Sequence, residues 1–497
     1  MCTGGGVCDP GLTCDAGVCV AGGTSGTTTS TTDAMTSTSD ASTTTGTDTE
    51  GTTTMDPGTC DPEDGLLNPA CEEPSPYCSN AGICGDCSVL VSCGDVDADK
   101  SVCDVESGAC VECNANESSA CGGSTPICDM LTNTCVGCSA HDQCPDSACD
   151  LVSGECMDED NVLYVLGDLE NSGNCTETLF SGGTEELPYC RMDVALEHAQ
   201  TNGGDWTFKL LEGSVFPQLS VEIANMGQAQ TYAIVADVNT SPAVPEFKSS
   251  SPTIKLSGDF TLYVHNLDFE SNAAIADYAT INCDGSRLFV SDSRVRGGVG
   301  PGIRGSACEL SISNSSIYNN KSEGLELAGG SLTMRNSFVV DNGPGDKWGG
   351  GGIVLNQVAV DIAYTTIVNN ANPEGADSIQ CDKADAPNIV RNSIIARNPN
   401  EPNQSVTCTN LKIEHSLVDG GADKGEGNME KAADAILGLL MKGTNNGVYA
   451  VKNMSASTQI NAVAQWRAGD PTTDFEGDPR PVEDLTDDTP GADVFVE

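Results

Sequence analysis

An eight-residue frame recurs seven times between Leu262 and Val418, and it constrains the fold more than any other feature of the chain. It reads LYVHNLDF from Leu262, LFVSDSRV from Leu288, LSISNSSI from Leu310, LTMRNSFV from Leu332, VDIAYTTI from Val360, NIVRNSII from Asn388 and LKIEHSLV from Leu411. Successive starts are 26, 22, 22, 28, 28 and 23 residues apart; the third place is always Val, Ile or Met, and the eighth always Val, Ile or Phe. Spacing of this order marks a solenoid, in which each unit buries its apolar face only by stacking on the next. Three residues past each frame stand Asn272, Gly298, Asn320, Asn342, Asn370, Asn398 and Gly421. Asn tolerates the left-handed backbone of a tight turn, and stacked amides can hydrogen-bond along the axis. The pattern predicts an all-β chain wound as a right-handed parallel β-helix. Val264, Val290, Ile312, Met334, Ile362, Val390 and Ile413 should form one inward column.

With 22 basic and 73 acidic side chains the net charge is −51. Such a field disfavours nucleic acid and anionic membranes as partners. The aromatic content of 4% would suggest disorder in an ordinary chain, but a solenoid fills its core with small aliphatics. The longest strongly apolar run, Ala435 to Met441, is far too short to span a bilayer. The 26 cysteines, an even number, predict an oxidising, extracellular or cell-surface location. Met1 and Cys2 nevertheless open the chain on a cysteine-rich module, with no export signal visible. The cysteines decide the compartment, with the signal removed, omitted or lost to a misplaced start. Cys2 reads as the first half-cystine of its module rather than as an acylated residue.

Cysteine spacing organises the first third. Cys2, Cys8, Cys14 and Cys19 make one module over residues 1–21, and a Thr/Ser-rich tract follows over 22–58 as a solvated linker. Residues 59–157 hold four tandem sets: Cys60, Cys71, Cys78, Cys84; Cys87, Cys93, Cys103, Cys110; Cys113, Cys121, Cys128, Cys135; and Cys138, Cys144, Cys149, Cys156. Units this small have too little core to fold unaided, so disulfides supply the constraint; the spacing leaves their connectivity open. The Cys-x-x-Cys junctions, such as Cys84/Cys87, suggest zinc only superficially, since exported thiolates would oxidise. The β-helix is expected over 158–423 and a closing segment over 424–497. Met192, Ala195, Leu196 and Ala199 fall on one face of a capping helix that TNGG ends at Gly204, and Trp206, Phe208 and Leu210 begin the first strand.

Three resemblances rest on these residues. The tetrads from Cys60 to Cys156, with Cys-Asp before the last loop, resemble cysteine-rich tandem repeats of myxobacterial surface proteins. Helix, Gly turn, strand and EGSVF resemble the N-terminal cap of pectin-lyase-like β-helices. AILGLLMKGTNNG from Ala435, STQINA from Ser457, TDFEGDPRP from Thr473 and PGADV from Pro490 resemble the closing segment of secreted choice-of-anchor Q proteins. Thr458, Gln459 and Asn461 depart from that family's Ser-Pro-Ala-Ile-Asp-Ala-like box. The resemblance implies surface association and no single chemistry.

Within the solenoid, Cys283 and Cys308 lie 25 residues apart and Cys381 and Cys408 lie 27 apart, about one rung, which predicts rung-to-rung staples; Cys175 and Cys190 make a third pair. A shift of 26 places Asp268 over Arg294 and Glu270 over Arg296, with His265 and Asp292 close by. This charged patch is a candidate catalytic site, read first as a ladder of opposite-charge neighbours. Asp346, Lys347 and Trp348, in a long Gly-rich loop, are candidate sugar-binding residues. Asp95, Asp97 and Asp99 have a calcium-loop spacing, although Lys100 replaces the expected Gly and no terminal Glu follows. No other cofactor is expected. The chain reads as a monomeric surface protein for adhesion or display, binding polysaccharide or surface proteins without turnover. The rival reading is a polysaccharide lyase or hydrolase on the same fold.

Overall fold

The computed structural model describes residues 12–15, 18–21, 60–62, 67, 71, 76–167, 174–211, 215–217, 221–224, 229–236, 245–249, 252–271, 278–343, 351–372, 375–382, 384–401, 403–420, 425–443 and 447–495. They fall in two units, Met1–Pro57 and Gly58–Glu497. In the first, Leu12–Asp15 and Val18–Ala21 form an antiparallel hairpin; Cys2, Cys8 and the whole Thr/Ser tract over 22–58 lie outside the described residues.

In the second unit, three parallel sheets stack rung upon rung. The first sheet holds the expected column. Val264 pairs in register with Val290, followed by Ile312, Met334, Ile362, Val390 and Ile413, and none of the seven is more than 1% exposed. Upstream the column continues through Ile234, Phe208 and Leu163. The strand Trp206–Leu210 is therefore not the first, because Val162–Val165 stacks before it. Burial of each such side chain contributes about 1.5–3 kcal/mol.

The fifth place of the frame bends the first sheet into the second. Asn266, Asp292, Asn314, Asn336, Tyr364, Asn392 and His415 all have φ between 44° and 56°. The sixth place then ties rungs together, with the hydroxyls of Ser293, Ser315, Ser337, Ser393 and Ser416 each accepting an amide N–H from the rung before at 3.1–3.2 Å. Past the frame, the left-handed residue stands one place earlier than expected: Gly297, Asn319, Asp341 and Asn369 have φ of 55–76°. Asn320, Asn342 and Asn370 are fully buried instead. Their side-chain amides donate along the axis, from Asn320 to Asn342 at 3.0 Å and from Asn342 to Asn370 at 3.1 Å.

The helix Met192–Asn202 buries Met192, Ala195, Leu196 and Ala199 against the solenoid core and stops at Gly203, whose φ of 69° a side chain would resist. At the other terminus the chain runs along the outer face of the second sheet. Ile436, Leu439, Val448 and Val451 pack against Tyr318, Phe338, Val340, Val368 and Ile394, so these strands are apolar on both faces. Arg480 of the GDPRP run locks this segment down. Its buried guanidinium donates to Asp488 at 3.1 Å and to the Gly491 carbonyl at 2.8 Å, and lies 4.1 Å over the ring of Tyr364.

Each described four-cysteine module joins its first cysteine to its third and its second to its fourth: Cys60–Cys78 and Cys71–Cys84, Cys87–Cys103 and Cys93–Cys110, Cys113–Cys128 and Cys121–Cys135, Cys138–Cys149 and Cys144–Cys156. The two sulfurs of each Cys-x-x-Cys junction thus belong to different modules. The fourth module docks on the first sheet. Ala148, Leu151 and Met157 pack on Ala233, Val235, Tyr263 and Phe289. Tyr263 donates its hydroxyl proton to Asp150 at 2.5 Å, and Lys209 donates to the Pro145 carbonyl.

Candidate functional site

His265 ends the strand Phe260–His265 and points outward from the first sheet. Its Nδ1 lies 2.9 Å from the Ser291 hydroxyl and 3.3 Å from the Asp292 carboxylate. On the second sheet Asp268 is in register with Arg294, and Glu270 with Arg296. The carboxylates nevertheless converge on Arg296, with Asp268 at 2.9 Å, Glu270 at 3.1 Å and Glu246 at 2.8 Å. A planar guanidinium offers five donors, which one acid on one side cannot use. Burial works against the charge of Arg296, but Asp268 and Glu270 outweigh it and hold its pKa above the usual value. Arg294 is exposed and makes no ion pair among the described residues. The patch therefore separates into His265 with Asp292, Asp268 and Glu270 committed to Arg296, and Arg294 by itself.

A residue the sequence did not single out roofs this patch. His141 of the fourth module is 5% exposed, with its ring 5.5 Å from Tyr263 and 5.3 Å from His265. Neither ring nitrogen has a hydrogen-bond partner among the described residues. Burial first, then the neighbouring His265, pushes its pKa down to about 4, with Asp292 opposing. The patch is thus partly covered by the protein itself.

The open concave surface lies elsewhere, on the third sheet. Its strands Ile281–Asp284, Ile303–Ser313, Leu325–Val340, Ile353–Asn356, Ile379–Cys381 and Val406–Cys408 stack in order. Two concavities run along it, of about 360 Å³ and about 770 Å³, and share Gln380 and Asp382. The floor is built of small, uncharged side chains, with Ser306, Ala328 and Asn356 in one outward column. Both arginines are occupied: Arg304 pairs with Glu326 at 2.7 Å, and Arg397 pairs with Asp419 at 3.0 Å. Gly305 is required here, since a Cβ on it would come within 2.7 Å of Leu327 and 3.0 Å of the Cys308 Cβ. The staple Cys283–Cys308, with Cα atoms 5.8 Å apart, passes beside it, and Cys381–Cys408, at 4.6 Å, crosslinks two strands of the groove. Cys175 and Cys190 are also joined. A broader concavity of about 900 Å³ lies between the third and fourth modules, walled by short loops that include Met130 and Pro145. Sites on strands hold geometry better than sites on loops, which favours the sheet groove.

Asp95, Asp97 and Asp99 do not converge. Among the described residues, ligand atoms gathered within 4.8 Å in threes belong to cysteines that are disulfide-bonded. The Asp97 carboxylate instead accepts from the Asp99 amide at 3.1 Å and faces Lys100 at 3.8 Å. Asp346, Lys347 and Trp348 lie outside the described residues.

Comparison with known proteins agrees with the solenoid. Residues 220–372 match the family model described as a right handed beta helix region. Residues 55–162, the cysteine modules, match a family of unknown function, DUF8331. No curated protein matches the chain. Among solved structures, the pectate lyase Pel9A is similar over 67% of this chain and 96% of its own, at 12% identity and a TM-score of 0.27. The chain is an all-β protein with a β-helix and disulfide-rich N-terminal modules.

Proposed function

We propose that this protein is exported and displayed at the cell surface, as a member of the choice-of-anchor Q type, and that the third sheet of its β-helix holds an extended polysaccharide without cleaving it. The observation that carries this reading is the groove of the third sheet, open, floored by small uncharged side chains and built on stacked strands. An extended chain laid along the helix axis meets a fresh set of hydrogen-bonding side chains at every rung, about 4.8 Å apart. Support for binding without turnover comes from the two groove arginines, each tied to a carboxylate and so withdrawn from a reacting group. Disulfides at every described cysteine side chain suggest an extracellular setting. No helix among the described residues is long and apolar enough to cross a membrane.

The rival, catalysis, is favoured by one observation: Arg294 is exposed, makes no ion pair among the described residues and stands in the same rung as Asp292, which faces His265. A polysaccharide array with the full chain tests the binding reading. Binding is expected, and Asn356→Trp should abolish it by filling the groove. No binding by the native protein, or equal binding by the variant, would refute it.

A further inference from the structure

Resting on the groove reading above, we infer that the polymer it holds is cationic, an amino-sugar chain carrying free protonated amines, rather than a polyuronate. The described charges along the groove favour a cation. On the third sheet Lys255 is neutralised by Glu222 at 2.6 Å and Arg304 by Glu326 at 2.7 Å. At the groove edge Arg397 is held by Asp419 and donates to the Asn403 carbonyl at 3.0 Å. Among the described residues no groove cation is left to receive a carboxylate; Lys383 and Lys424 lie outside them.

Asp382 is exposed, lines both concavities and makes no ion pair among the described residues. Asp284 is exposed and likewise unpaired, and it is in register with Ser306, which heads the column running through Ala328 and Asn356 toward Asp382. Two carboxylates without an ion pair among the described residues thus flank a neutral floor, four rungs or about 19 Å apart at the spacing of stacked strands. This places anionic subsites at both ends of a neutral track. The net charge of −51 acts in the same direction, drawing a polycation in and holding a polyanion off.

Titration calorimetry of the full chain at pH 6 and 0.15 M salt, with glucosamine hexamer, N-acetylglucosamine hexamer and galacturonate hexamer as probes, tests this. The amine-bearing hexamer should bind at least tenfold more tightly than the galacturonate one. Asp382→Asn should weaken the glucosamine hexamer about fivefold, the size of one close charge pair in water, and leave the neutral hexamer unchanged. Asp95→Asn, which removes the same charge far along the chain, serves as the control for the general field and should change nothing. Equal losses in the two variants would overturn the inference, as would galacturonate binding as well as glucosamine, while the groove reading survives if any hexamer still competes with the array ligand. Failure of all three hexamers, together with a blank array, would remove both.

Discussion

Acidification should lift the fourth cysteine module off the β-helix, and His141 should set the pH range in which this happens. The imidazole sits between Tyr263 and His265, 5% exposed, with Lys209, Asp150 and Asp292 the other charged groups around the contact. Its pKa is pushed down from 6.5 to about 4, first by burial and then by His265. The docked state therefore binds the proton less well than the undocked state. Docking is at full strength above pH 6.5, weakens as pH falls through the interval to 4, and levels off below it. At about 1.36 kcal/mol per unit the full effect is about 3 kcal/mol, of which about 2 kcal/mol is lost by pH 5. His141→Phe keeps an aromatic ring against Tyr263, removes the titration and removes two ring nitrogens that have no partner. Urea melts of both proteins at pH 7.5 and pH 5 are the assay. The native protein should lose about 2 kcal/mol more than the variant on acidification. Identical losses would refute the reasoning, because the carboxylates titrate in both.

Four further outcomes follow from the fold. Asn342→Ala should cost about 1–3 kcal/mol in chemical denaturation by stranding the buried Asn320 amide, whereas Asn398→Ala, at the turn outside the ladder, should be near neutral. Replacing Cys283 and Cys308 together by Ala opens a 25-residue loop and should lower stability by about 3 kcal/mol; alkylation without reductant should meanwhile label none of the 26 cysteines of the native chain. Arg480→Met leaves Asp488 buried and unpaired, costs about 3–5 kcal/mol, and should expose the closing segment to protease before the solenoid melts.

The frame made the solenoid legible because one column of it is buried at every rung: Ile312 and Met334 are interchangeable there, and any charge is excluded. The same frame held two signals of what covers the sheets. Its second place is Tyr263 and Phe289 in the first two repeats and polar in the next three, which marks where the fourth module docks. Its seventh place changes from Asp268 and Arg294 to Phe338 and Ile394, which marks where the C-terminal segment lies. The ion pairs were less legible. Register placed Arg294 against Asp268, but the reach of Arg296 across two rungs gathers three acids to itself. The groove was hidden altogether, since Ser306, Ala328, Asn356 and Asp382 fall outside the frame, where variable turn lengths break the alignment between rungs. His141 carried no signal beyond being one of four histidines.

A polymer bound on the third sheet should leave the protein at its original length. Mass spectrometry of a saturating polysaccharide ligand, recovered after prolonged incubation with the full chain, tests it most directly. The account predicts an unchanged chain-length distribution and no new ends. Unsaturated or reducing-end fragments that appear with the native protein and vanish with Arg294→Ala would contradict it and place catalysis on the His265 and Asp292 side of the helix.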